Sequence, residues 1–267
     1  MPLQYPYKRT CRQFVDGSYT NNGQWKYIHD KDFAESPEHY VRAFELIQKD
    51  LIHLFSYVEP SDKNLDTYSF RIYELFFRTC VEIEANFKAI LCENRYTKPT
   101  HKLNISDYKL INQSHRLSSY WVKIPYWRGE QDKITPFEKF ALFDAKTQNK
   151  QSTPDWYNAY TSVKHNRLAN FEQANLKNLM GAVCALVVVL SSQFCCEDFS
   201  PGATLLACEG TNDGLDSAIG GYFRVKFPDD WTEDERYSFT YNSLVQDDWK
   251  VQCYDYNSML DAVIVNC

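Results

Sequence analysis

Apolar residues along this chain recur mostly three and four apart, the spacing of helix faces. After Ser36-Pro37-Glu38, the positions Tyr40, Phe44, Ile47, Leu51, Leu54, Phe55 and Val58 line one face, and Pro60 ends the run. Ser36 is the expected N-cap and Pro37 suits the first helical position. A second helix is expected over about 65–94, apolar nearly all round apart from one polar stripe of Arg71, Glu74, Arg78 and Glu82. That spacing permits ion pairs along one helix face.

From 95 to 153 the pattern is mixed, and Pro99, Pro125 and Pro136 interrupt any long element. A short strand is expected at 121–124, and Thr135-Pro136-Phe137-Glu138 reads as a helix start. Two helical pieces follow, over about 154–164 and 170–197, with Asn170 and Gln173 resembling a capping box for the second. The segment Leu179–Leu190 is apolar all round, so it is expected to be the most buried helix.

Past Phe199 glycines punctuate short segments. The alternation over 222–227 predicts a strand, and 249–254 is a further candidate. Short strands are also expected around Trp25–Ile28, beside the turn signals Asp16-Gly17 and Asn22-Gly23. The expected fold is mainly α. It is a helical bundle over 36–200, with an N-terminal extension at 1–35 and a small strand-containing C-terminal appendage at 201–267 packed on the core.

Composition narrows the functional classes. Aromatic residues make up 16% of 267 residues, enough for a large core. A net charge of −6 gives no global attraction to polyanions, so any nucleic-acid contact has to come from a local basic patch. The nine cysteines are irregularly spaced without a C-x-x-C pair, so a reducing, cytoplasmic location is expected and no metal site is. Cys80, Cys92 and Cys184 fall inside apolar helical patterns, where free thiols act as small core residues. The N-terminal stretch lacks the apolar stretch of a signal peptide, and the longest apolar run, twelve residues, is short of the roughly 20 a span needs. No membrane association and no cofactor are expected.

Chemistry concentrates in Trp156–Arg167, WYNAYTSVKHNR. Lys164, His165 and Arg167 directly precede a long apolar helix, whose positive end and free amides would favour an anion. His165 is the side chain there that trades protons near neutral pH. Metal-free RNA cleavage needs a base, an acid and cations for the phosphorane charge. One histidine per chain fills one proton-transfer role, and two copies across a dimer fill both. Arg78 or Glu82 could support the site if α-helical packing places them beside His165. The competing reading is a helix corner in which His165 is hydrogen-bonded and the cations are solvated.

The segment WYNAYTSVKHNR and the helix NLKNLMGAVCALVVVL over 175–190 resemble bacterial members of the HEPN superfamily, and YELFFRTCVEIE over 73–84 resembles their second core helix. The similarity covers about 36–95 and 154–197. It implies a helical bundle, often dimeric, acting as a metal-independent ribonuclease in stress or phage defence, or as a scaffold that has lost catalysis. His165 matches the histidine of the family's R-x(4–6)-H pattern, Asn158 stands for its polar residue, and no arginine lies at that spacing. Lys164 or Arg167 would supply the cation instead. A literal match at Arg95–His101 contains Pro99 and reads as a loop. The resemblance therefore implies RNA as partner, a homodimer, His165 and Asn158 as catalytic residues, and Lys164 and Arg167 as phosphate-binding residues. The alternatives are a non-catalytic interaction module and a small-molecule-binding bundle, since aromatic-rich helices often enclose apolar pockets.

Overall fold

The computed structural model describes residues 1–144, 150–199, 214–246 and 251–258. It is mainly helical, with one small antiparallel sheet. The long helices are α1 (Pro37–Leu54) and α2 (Phe70–Glu93). Short helices α3 (Ile105–Lys109) and α4 (Ile111–His115) follow. Then come α5 (Asp155–His165), the single turn α6 (Arg167–Asn170), α7 (Leu176–Phe194) and α8 (Tyr241–Gln246).

Helix α7 is the axis of the fold. Every residue from Leu179 to Phe194 is buried, as its all-round apolar sequence predicts. By length and composition it could cross a membrane, but 89% of its apolar window is buried against the rest of the chain. It packs on α1, α2 and α5. Gly181 makes the α5 contact close: a Cβ there would lie 3.2 Å from Trp156 Cβ and Cδ1.

The helix ends depart from expectation for identifiable reasons. Ser36 has a left-handed backbone, φ 48°, and its side chain caps nothing. Helix α2 starts at Phe70, not 65, with Ser69 Oγ accepting from the Ile72 amide at 3.2 Å. The preceding residues are engaged elsewhere: Thr67 O and Leu65 O accept from the Leu176 and Lys177 amides at 2.8 and 2.9 Å. Helix α7 accordingly begins at Leu176, capped by Asn175, whose side chain accepts from the Asn178 amide at 3.1 Å. Asn170 does not cap it; its Oδ1 accepts from Gln173 Nε2 before a 3-10 turn at Phe171–Gln173.

Strands β1 (Trp121–Lys123), β2 (Lys133–Ile134), β3 (Asp216–Ser217) and β4 (Arg224–Lys226) form one sheet in the order β2-β1-β4-β3. Val122 pairs with Val225, so half the sheet comes from the region expected as bundle and half from the expected appendage. Residues 21–29 form a 3-10 helix, not strands. The segment 138–142 is also a 3-10 helix. Of the candidate strand at 249–254, residues 249 and 250 lie outside the described residues; Gln252 makes an isolated bridge to Tyr7. The Arg95–His101 match is non-helical up to a 3-10 turn at Thr100–Lys102, in keeping with a loop.

The N-terminal residues are woven into the core. Arg9 is fully buried. Its Nε donates to Glu93 Oε1 at 2.6 Å, its Nη1 to Gln193 Oε1 at 3.0 Å and its Nη2 to Glu35 O at 2.7 Å. The guanidinium lies over the Tyr40 ring, 4.7 Å from its centre. Burying an arginine requires such complete pairing, because an unpaired buried charge is costly. Cys80 and Cys184 are buried as expected; Cys92 is exposed.

Candidate functional site

Helix α5 is anchored by its apolar face. Trp156, Ala159, Tyr160 and Val163 are buried. Trp156 Nε1 donates to Pro136 O at 3.0 Å, and the Tyr157 hydroxyl donates to Glu84 Oε1 on α2 at 3.0 Å. The last residues of α5, Lys164 and His165, project into solvent, and the chain turns at Asn166. The Asn166 amide donates to Ser162 O at 3.0 Å, and its side chain caps α6 by accepting from Ala169 N at 3.3 Å. Arg167 opens α6, exposed. Three residues able to carry positive charge are thereby held within four sequence positions at one corner.

The field at this corner differs from the expected one. Lys164 and His165 sit at the C-terminal, negative end of α5, which favours cations and raises no anion site of its own. The positive end of α7 lies ten residues further along. Its first three amides are taken by Thr67 O, Leu65 O and Asn175 Oδ1. The expectation that α7's free amides help bind an anion is therefore overturned. Anion affinity here has to come from the side chains.

His165 is exposed, not buried and satisfied, and among the described residues its ring has no hydrogen-bond partner. Asn158 is exposed on the same face of α5. Seven residues separate the two, which is two turns or about 10 Å along the axis. They do not converge on one atom. Arg78 and Glu82 are not beside His165 either. Arg78 pairs with Asp50 of α1, and its positive charge acts on Glu82. This face of α2 turns to α1, whereas Phe77 and Glu84 meet α5 through Tyr160 and Tyr157. The helical phase of α2 thus puts the polar stripe on the wrong side. Arg71, Glu74 and Arg78 instead line a cleft of about 740 Å³ with Asp50, His53 and Tyr57.

What the sequence did not single out is the aromatic surface under the cations. Phe70 and Tyr68, at the start of α2, are 61% and 52% exposed. Phe171 packs on Phe70, Tyr68 and Tyr73, with ring centres 4.9, 5.9 and 5.8 Å apart. The row continues through Tyr73–Phe77 at 4.4 Å and Phe77–Tyr160 at 5.1 Å. The cations lie on its rim: Lys164 Nζ is 5.2 Å from the Tyr160 ring centre and the Arg167 guanidinium 6.0 Å from that of Phe70. These are cation–π distances. Leu168, beside Arg167, is 90% exposed. Burial raises the Tyr160 phenol and the Cys80 thiol beneath the corner, so both stay protonated at neutral pH.

Among the described residues no three histidine, cysteine, aspartate or glutamate side chains are grouped as a metal-ligand set. No protein-family model, curated protein or solved structure matches this chain.

Proposed function

We propose that this chain is a HEPN-like protein that binds single-stranded RNA at the corner where α5 ends, and that two copies together complete a ribonuclease site. One observation carries the reading. Exposed Lys164 and Arg167, with exposed His165 between them in sequence, edge an aromatic row that runs from Tyr160 through Phe77 and Tyr73 to the partly open Phe171, Phe70 and Tyr68. Single-stranded nucleic acids are held by this pairing of parts, with cations tracking the phosphates and aromatic faces stacking bases. The net charge of −6 leaves this local patch to supply the attraction.

In cleavage, His165 of one copy takes the proton from the 2′-hydroxyl. The 2′-oxygen attacks phosphorus and the bond to the 5′-oxygen breaks. A protonated His165 from the second copy supplies the proton to that leaving oxygen. Lys164 and Arg167 offset the charge on the non-bridging oxygens. Asn158, two turns away, contacts a neighbouring nucleotide and not the reacting phosphate.

Fluorescence anisotropy with a labelled single-stranded RNA, across a salt series, tests the binding. Lys164→Ala and Arg167→Ala are each expected to flatten the log–log salt slope by about 0.7. Phe70→Ala is expected to weaken binding by about 1–3 kcal/mol without changing that slope, as loss of one stacked base does. Binding unaffected by all three changes removes the assignment. A second reading rests on Leu168: a nearly fully exposed leucine next to Arg167, which lies over exposed Phe70, suits a protein partner, with the corner acting as a non-catalytic interaction module.

A further inference from the structure

At the opposite end of α7 from its Asn175 cap, three thiols lie close together. Cys195, the residue that ends the helix, has a left-handed backbone at φ 55°, which holds its side chain back toward the core. Its Sγ is 4.0 Å from the Sγ of Cys196. Cys11 is its other thiol neighbour, near enough to help hold the Cys195 thiol protonated. Cys11 arrives from a segment 184 positions away. Its amide donates to Ser192 O at 2.8 Å, which fixes it against the last turn of α7. All three are free thiols; Cys11 and Cys195 are buried and Cys196 is partly open to solvent.

We propose that Cys196, Cys195 and Cys11 form a hydroperoxide-reactive modification site, in which oxidation enters at Cys196 and ends as a disulfide between Cys195 and Cys11. Access and order follow from burial. Cys196 is the thiol of the three that a small peroxide reaches. Its thiolate attacks one peroxide oxygen, giving a sulfenic acid and releasing hydroxide. Cys195, deprotonated as it reacts, attacks the Cys196 sulfur and expels a second hydroxide, which makes a disulfide between adjacent residues. Cys11 then attacks the Cys195 sulfur, and the electron pair of the broken bond leaves on Cys196 as thiolate. In sum two thiols lose two electrons and two protons, and one hydrogen peroxide becomes two waters.

The last exchange is favoured by geometry. A bond between neighbouring residues closes a small strained ring, whereas Cys11 and Cys195 come from separate backbones already fixed side by side. The neighbouring Cys11 and Cys196 thiols, and then burial, hold the Cys195 thiol protonated and slow, so direct attack on peroxide at Cys195 is suppressed and the relay through Cys196 is the open route. The product ties the N-terminal segment, with buried Arg9 two residues before Cys11, to the end of the core helix.

The test uses the full chain, reduced, freed of reductant and treated with hydrogen peroxide. A mass loss of two hydrogens is expected, with non-reducing peptide mapping linking the Cys11 peptide to the Cys195–Cys196 peptide. Melting temperature should rise by roughly 5–15 °C and return on reduction. Cys196→Ser should slow formation of that link at least tenfold. Cys11→Ala should abolish the link and leave Cys196 as a sulfenic acid trapped by dimedone, or joined to Cys195. Alkylation of native wild-type protein adds a check that needs no variant: Cys196 should label before Cys11 and Cys195. Equal rates of link formation in wild type and Cys196→Ser overturn the relay. An unlinked Cys11 peptide, in protein whose Cys196 is fully oxidised, overturns the site.

Discussion

His115 Nε2 lies 2.8 Å from the backbone carbonyl oxygen of Arg9, and both residues are fully buried. The imidazole donates there, so its other nitrogen accepts from Ser114 Oγ at 2.7 Å. The Tyr256 hydroxyl, 2.6 Å from Ser114 Oγ, closes the chain. A neutral histidine thus joins the N-terminal segment, α4 and the segment at 251–258. Burial, with a smaller push from the Arg12 guanidinium, lowers its pKa to about 3.

That relationship fixes the sign of an acid effect. Above the unfolded value of about 6.5 both states carry neutral His115, and the full stability is present. Below it the unfolded chain takes up a proton that the folded chain refuses. Stability then falls by up to about 1.4 kcal/mol per pH unit until pH nears 3. Urea midpoints of wild type and His115→Gln between pH 7 and 4 should show a shallower fall in the variant. An equal fall in both would assign the acid sensitivity to other groups.

Arg9→Lys is expected to be far from conservative. An ammonium cannot reproduce the planar fork that meets Glu93, Gln193 and Glu35 O together, nor the stacking on Tyr40. Arg9→Ala leaves the partly buried Glu93 without its cation and should cost about 3–5 kcal/mol. Chemical denaturation reads both. A loss below 1 kcal/mol in Arg9→Ala would mean the network contributes little.

The sequence carried the helical layer well, because burial writes a period directly into it. The apolar faces of α1 and α2 and the solid apolar run of α7 needed no partner information. Short strands at 121–123 and 224–226 were likewise legible from local pattern. The starts of α1 and α5 were legible too, but those of α2 and α7 were not, since they depend on distant partners: Leu65 and Thr67 leave the helical pattern to accept from the first amides of α7, more than a hundred residues away. The side of α2 that faces α5 was also hidden, because nearly every face of that helix is apolar, and so Arg78 and Glu82 were placed at the wrong neighbour. At the corner itself, the cations and His165 were readable from sequence. The aromatic rim was not, as Phe70 and Phe171 look like ordinary core residues until their exposure is seen.

Val187→Asp tests the role of α7. The side chain is 1% exposed at the middle of the helix, flanked along the chain by buried apolar residues. A loss of more than about 4 kcal/mol is expected, through an unpaired buried charge. Thermal melting near the wild-type temperature would show that the helix can move its middle turn to solvent.

The final prediction concerns cleavage. In the proposed mechanism His165 carries the proton and Lys164 and Arg167 stabilise charge, so activity on single-stranded RNA should persist in EDTA and leave 2′,3′-cyclic phosphate ends. His165→Ala should abolish it, because it removes the imidazole to which the mechanism gives proton transfer. Asn158→Ala, two turns away along α5, should reduce it less. Arg78→Ala should leave it unchanged, since Arg78 faces Asp50 on the far side of α2. Because one chain holds one such histidine, the mass in light scattering at tens of micromolar should be that of a dimer. Mixing His165→Ala with wild-type protein should then lower activity faster than dilution alone, as mixed dimers lose one proton-transfer group. Full cleavage by His165→Ala would remove the mechanism. A monomer that still cleaves would remove the two-copy site while leaving the RNA surface in place.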